Sequence, residues 1–117
     1  MNITITQGKG FHLNFDNGWV LSIQVGEFNY CANRDIHFED RLDSGRSVSC
    51  PDAEIAVWHK EEHGMLHLGA DTVAGWVPGN TVLKVVNYLN RTKLGNGRRL
   101  QVGRQLAKIL RANPPAE

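Results

Sequence analysis

The sequence predicts an α+β domain: a small antiparallel sheet of four or five strands, opened by an N-terminal hairpin, packed against one or two C-terminal helices. Three observations predict it. Apolar residues alternate with period two between positions 11 and 25. Short β-compatible runs follow between 53 and 77. After Asn80 the apolar spacing changes to three and four residues, the period of a helix buried on one face.

In the hairpin, Phe11, Leu13 and Phe15 alternate with His12 and Asn14. Trp19, Leu21, Ile23 and Val25 then alternate with Val20, Ser22 and Gln24, and Asp16-Asn17-Gly18 lies between the two runs. A two-residue Asn17-Gly18 loop would set Phe15 opposite Val20 and put the apolar sets on opposite faces, because a one-residue slip reverses every side chain. A three-residue loop pairs Phe15 with Trp19, Leu13 with Leu21 and Phe11 with Ile23. The pattern therefore selects a type I turn with Gly18 in the left-handed conformation of a bulge.

Residues 26–52 show no period and read as a long irregular segment, whose start (residues 27–34) mixes aromatic and amide groups. Residues 53–58 read as a strand, 60–64 as a polar turn and 65–68 as the returning strand. Residues 72–77 are a fifth strand or an extended connection into Pro78-Gly79. Asn80 has the chemistry of an N-cap, and Val82, Val85, Val86 and Leu89 form the stripe of a first helix. Gly95-Asn96-Gly97 separates it from a second helix over about residues 98–112, with Leu100, Gly103, Leu106, Ala107 and Leu110 on one side. Asn113-Pro114-Pro115 stops that helix. The expected organisation is an α+β core over residues 1–94 and a basic helical extension with a disordered tail over 95–117.

The 117 residues, 41% of them hydrophobic, fit one domain. No run approaches the ~20 apolar residues that span a bilayer, and no basic-then-apolar leader opens the chain. No membrane partner is expected, the expected location is intracellular, and Cys31 and Cys50 read as reduced thiols. Charge is unevenly placed. Residues 1–83 hold five Lys/Arg against eleven Asp/Glu, and residues 84–117 hold eight against one. Such asymmetry suits an anionic partner, or a tail that docks on an acidic body.

His59, His63 and His67 are spaced four apart, but Gly64 and the β-like flanks argue against a helix that would align them. Adding Cys31, Cys50 and His37 gives many ligand combinations but no Cys-x-x-Cys, and no His-x-x-x-His on a well-defined element, so no metal or other cofactor is assigned. No nucleophile elbow, phosphate loop or dinucleotide fingerprint occurs, and no catalytic residue is assigned. The polar hairpin face, with His12 and Asn14, reads as solvent-facing surface or as a site completed by Asn29, Tyr30, Asn33 and Arg34 for a partner or a small anionic ligand. Trp58 and Trp76 are assigned to the core. Arg98, Arg99, Arg104, Lys108 and Arg111 form a basic face able to neutralise phosphates. No aromatic residue follows Tyr88, so this segment offers no base stacking. A solvated face, a docking surface for an acidic protein and a homodimer contact are its other readings.

Three stretches carry a resemblance as a set. They are Gly10-Phe11-His12-Leu13-Asn14-Phe15-Asp16-Asn17-Gly18-Trp19 with Asn29-Tyr30-Cys31-Ala32-Asn33-Arg34, then Pro51-Asp52-Ala53-Glu54-Ile55-Ala56-Val57-Trp58, then Gly69-Ala70-Asp71-Thr72-Val73-Ala74-Gly75-Trp76-Val77. In that order the chain resembles, over roughly residues 10–90, a group of short accessory proteins of tailed bacteriophages and prophages. The resemblance brings no catalytic residues. It brings no activity either and implies context: a protein acting in the host cytoplasm, where small accessory phage proteins often act on the host, including by blocking bacterial defence systems. With the charge asymmetry and the missing catalytic set, it points to an antiviral nuclease such as a CRISPR effector as the target. The expected function is a non-enzymatic inhibitor binding a host protein. A module that binds a small nucleotide or nucleic acid is the alternative.

Overall fold

The computed structural model describes residues 1–6, 10–35 and 49–115. Five strands lie in sequence order in one antiparallel sheet: β1 (Asn2–Thr6), β2 (Gly10–Asn14), β3 (Trp19–Gln24), β4 (Asp52–His59) and β5 (Ala74–Pro78). Two helices follow, α1 (Gly79–Arg91) and α2 (Arg99–Ala112). This is the α+β arrangement that the periodicity predicts. No helix among the described residues is long and apolar enough to cross a membrane. Of the irregular segment expected over 26–52, residues 36–48 lie outside the described residues, as do 116 and 117 of the expected disordered tail.

The β2–β3 hairpin has the register chosen by its apolar pattern, with Phe11 opposite Ile23 and Leu13 opposite Leu21. The Phe15 N–H donates to the Trp19 carbonyl at 2.9 Å, closing the three-residue loop. Gly18 has φ +95°, and a Cβ there would lie 2.5 Å from His59 Nε2. Both the backbone conformation and the space demand glycine.

Because side chains alternate across a strand, every second residue faces the helices. Leu13, Leu21, Ile23, Ile55, Val57 and Val77 meet Val85 and Leu89 of α1 and Val102 and Leu106 of α2 in one buried cluster. The helix expected as an extension beyond residue 94 thus supplies two fully buried residues to the same core. Its buried face is Val102, Gly103, Leu106 and Ala107, while Leu100, expected on that face, is 66% exposed.

The turn between β2 and β3 also ties the sheet to the helices. Asn17 Nδ2 donates to the carbonyls of Leu89 (2.7 Å) and Thr92 (3.1 Å), serving carbonyls that the end of α1 leaves without helical partners. Its Oδ1 accepts the Trp19 N–H. The Trp19 indole is fully buried, donates to the Leu94 carbonyl at 2.6 Å and meets the edge of the His59 ring at 4.8 Å.

Three local features differ from expectation. β1 is an additional strand, announced by Ile3 and Ile5 alternating with Asn2, Thr4 and Thr6. By register Ile3 and Ile5 share the face of Leu13 and Phe11, yet at the sheet edge they are largely exposed. Residues 65–68 form no strand. Leu66 and Leu68 are buried, the Leu66 N–H donates to the Val57 carbonyl, and β4 pairs with β5 instead. Asn80 lies inside α1, and Pro78 holds the N-cap position with φ −58°. Its ring already fixes the backbone for entry into the helix.

Asn17→Ala is expected to lower stability by about 1–3 kcal/mol, because two carbonyls at the end of α1 lose their donor. Urea unfolding monitored by Trp fluorescence measures it.

Candidate functional site

The exposed aromatic surface begins at a break in β5. Ala53 pairs with Val77 and Ile55 with Ala74, so three steps along β5 match two along β4. The extra residue lies at Gly75-Trp76, and Trp76 has φ +49°. A bulge of this kind re-aims a side chain and releases a ladder hydrogen bond. The Trp76 N–H instead donates to the Tyr30 carbonyl at 2.7 Å. Gly75 permits this approach, since a Cβ there would lie 2.6 Å from Tyr30 Cβ. Trp76, assigned to the core from sequence, is 43% exposed and stacks on Tyr30 with ring centroids 5.6 Å apart. Glycine inside a strand, directly before an aromatic residue, was the signal available for this position.

Tyr30 sits in a loop held almost entirely by its own amides and by two acids of β4. Glu54 accepts the Tyr30 N–H at 2.7 Å and the Asn29 amide at 3.4 Å, and Asp52 Oδ1 accepts the Ala32 N–H at 2.7 Å. Asn29 Oδ1 accepts the Gly26 N–H, and the buried Asn33 donates to the Ser49 carbonyl at 3.1 Å. Arg34 Nη1 donates to the Phe28 carbonyl at 3.0 Å, and its guanidinium lies 4.7 Å from the centre of the Tyr30 ring, within cation–π range. Phe28 has φ +67° and is 71% exposed. Of the sequence-predicted residues, Tyr30 and Arg34 therefore form the surface, whereas Asn29 and Asn33 hold the loop beneath it.

His12 and Asn14 are engaged elsewhere. His12 meets the edge of Trp58 at 5.0 Å, and Asn14 Nδ2 donates to the Asn2 carbonyl and Thr4 Oγ1. On the same face Gln24 donates to Thr6 and Ser22, so the polar face is largely bonded to itself. His59 is buried, with Nδ1 accepting the Glu61 N–H and Nε2 facing the Asn17 carbonyl, while His63 and His67 are exposed.

The basic residues divide into two groups. Arg99 bonds Glu62 at 3.0 Å and also donates to the carbonyls of His63, Gly64 and Met65, so it clamps the 62–65 turn. Glu62 accepts the Gly97 N–H at 3.0 Å, and that bond, assisted by Arg99, holds its carboxyl below the ordinary range. A carboxylate there also offsets the cationic residues at the positive end of α2. Arg104, Lys108 and Arg111 are exposed and line a groove of about 790 Å³ with Leu100 and His67. Among the described residues they have no ion-pair partner. Arg98 is exposed at the N-cap of α2.

The two cysteines lie near each other under the Tyr30 loop. The Cys31 and Cys50 sulfurs and an Asp52 oxygen are all within 4.8 Å of one another. Burial pushes the Cys31 thiol up to about 11, which disfavours the thiolate that a nucleophile requires.

Compared with known proteins, the chain matches no protein-family model, no curated protein and no solved structure.

The lowered Glu62 titration has a defined stability signature. Its contribution is present above about pH 4.3, the ordinary glutamate value, and is lost as pH falls through the lower folded value. The melting temperature of the wild type is expected to exceed that of Glu62→Gln at pH 7, with the gap closing as pH falls below that range. Thermal melts across pH check it.

Proposed function

We propose that this chain is a non-enzymatic binding protein that engages another protein through Trp76, Tyr30 and Arg34, and that it acts as a phage accessory inhibitor of a host factor, such as an antiviral nuclease of the CRISPR type. One observation carries the binding reading: an exposed stack of Trp76, Tyr30 and Arg34 built on strained backbone. Left-handed aromatic residues cost of order 1–3 kcal/mol each and tend to mark functional positions. Phe28, two residues before Tyr30 in the loop, and Trp76, stacked on Tyr30 from the bulge, are two of them. Trp, Tyr and Arg dominate the energetics of protein interfaces. Holding them in place before contact reduces the ordering that association must supply.

The phage context rests on the sequence resemblance, two of whose stretches, residues 29–34 and 69–77, supply Tyr30, Arg34 and Trp76. The partner surface best suited to this patch combines an apolar pocket for the rings with a carboxylate for Arg34. The buried Cys31 and the internally bonded His59 favour binding over nucleophilic chemistry.

A second reading is favoured by the groove along α2. Arg104, Lys108 and Arg111 beside Leu100 suit an anionic ligand, either a nucleotide or a nucleic acid strand. Binding there would weaken with salt, by a slope of about −0.7 per phosphate neutralised on a single strand.

Immobilised wild type, Trp76→Ala, Tyr30→Ala and the triple reversal Arg104→Glu/Lys108→Glu/Arg111→Glu are to be compared for capture of host proteins, followed by Kd measurement on the retained protein. Trp76→Ala is expected to weaken binding roughly 30-fold or more, as loss of a central aromatic does, while the triple reversal retains it. Capture unaffected at 76 and 30 but abolished by the triple reversal overturns the aromatic interface in favour of the groove. Salt-sensitive binding of a labelled oligonucleotide, abolished by the same reversal, supports the second reading.

A further inference from the structure

We infer that Cys31, Cys50 and Asp52 form a site for one thiophilic divalent cation, of which Zn²⁺ is the natural occupant, with a fourth position left for water. The three side chains come from two segments, the loop after β3 and the entry to β4. Their ligating atoms lie within 4.8 Å of one another, and Cys50 Sγ is 3.5 Å from Asp52 Oδ1. Zn–S bonds of about 2.3 Å and Zn–O bonds near 2.1 Å in a tetrahedron place neighbouring ligand atoms roughly 3.5–3.8 Å apart. One edge of the site therefore has ligand spacing already, and the others need a contraction of at most about 1.3 Å.

The surroundings are organised as a metal site requires. Asp52 Oδ1 accepts the Ala32 N–H at 2.7 Å, which orients the carboxylate, and the same oxygen, 3.5 Å from Cys50 Sγ, keeps a lone pair for the cation. The Cys31 thiol donates to the Gly26 carbonyl at 3.7 Å, a bond that is given up when the sulfur takes the metal. Asn33 to Ser49 joins the same two segments independently of the cysteines. Two sulfurs with one carboxylate select Zn²⁺ over Mg²⁺ or Ca²⁺, which prefer all-oxygen shells. On binding, each thiol gives its proton to solvent as its sulfur–metal bond forms. Two protons leave per cation, the metal stays divalent, and nothing is oxidised. The site stands whatever partner the aromatic surface takes.

The test uses the full chain, stripped with chelator and kept reduced with a phosphine, titrated with Co²⁺ alone and then with Zn²⁺. One equivalent of Co²⁺ is expected to give the intense sulfur-to-cobalt charge-transfer absorption, and Zn²⁺ to displace it and raise the melting temperature. Cys50→Ser is expected to remove most of that absorption. Asp52→Asn keeps an acceptor for Ala32 and retains the absorption, while affinity falls by more than the roughly tenfold typical of losing a supporting bond. Far-UV spectra of the metal-free variants confirm folding, and Cys50 and Asp52 are partly exposed, so they remain informative where Cys31→Ser does not fold. No saturable uptake overturns the proposal, as does charge-transfer absorption unchanged in Cys50→Ser. A chain that forms a Cys31–Cys50 disulfide in air, yet takes up no cation when reduced again, overturns it too.

Discussion

The buried Trp19 indole joins the two layers of this protein. A sheet of five short strands has one face to cover, and two helices cover it only if the connection between them stays in place. The indole fills that corner, and its hydrogen bond to the Leu94 carbonyl fixes the link between α1 and α2. The two residues before Trp19 act in the same place. Asn17 closes the end of α1, and Gly18 leaves room for the His59 ring. A hairpin turn would ordinarily only reverse the chain. Here it also serves as a helix cap and a packing shim, so hairpin, sheet and helices are interdependent.

On the opposite edge the structure is built differently. Strand β5 interrupts its ladder to send one amide to the loop over residues 26–34, and that loop rests on the carboxylates of Glu54 and Asp52. Most of its polar groups are satisfied locally, while its aromatic rings point toward solvent. A small domain gains little by leaving three large rings exposed, which separates this edge from the ordinary scatter of apolar surface residues.

The hairpin register was legible because the period-two pattern admits one answer, and a slip would have put Leu13 and Leu21 on opposite faces. The helices were legible from their spacing, though α2 turns Val102 inward and leaves Leu100 outside. What sequence could not reveal depends on distance along the chain. Asn17 reaches carbonyls 72 and 75 residues away, and no local pattern encodes that. Trp76 reads as core in an alternating strand. Only the bulge, accommodated by Gly75, turns it outward. The polar hairpin face reads equally as binding surface or solvent shell, and cross-strand bonds that depend on β1 decide how its groups are used. Cys31 and Cys50 stand nineteen positions apart in a segment without period, so their proximity follows from the path of the loop.

The contact of Gly75 with Tyr30 also bears on how such a surface can diversify. The backbone of the bulge and the backbone of the loop touch where no side chain fits, so that seam tolerates almost no change. A few ångströms outward, the rings of Tyr30 and Trp76 are 44% and 43% exposed. Variation is thereby confined to the outer layer, the one proposed to meet another molecule. Where the rim is the binding surface proposed above, a scaffold divided this way can change its target by altering the rings at 30 and 76 while the seam beneath stays fixed.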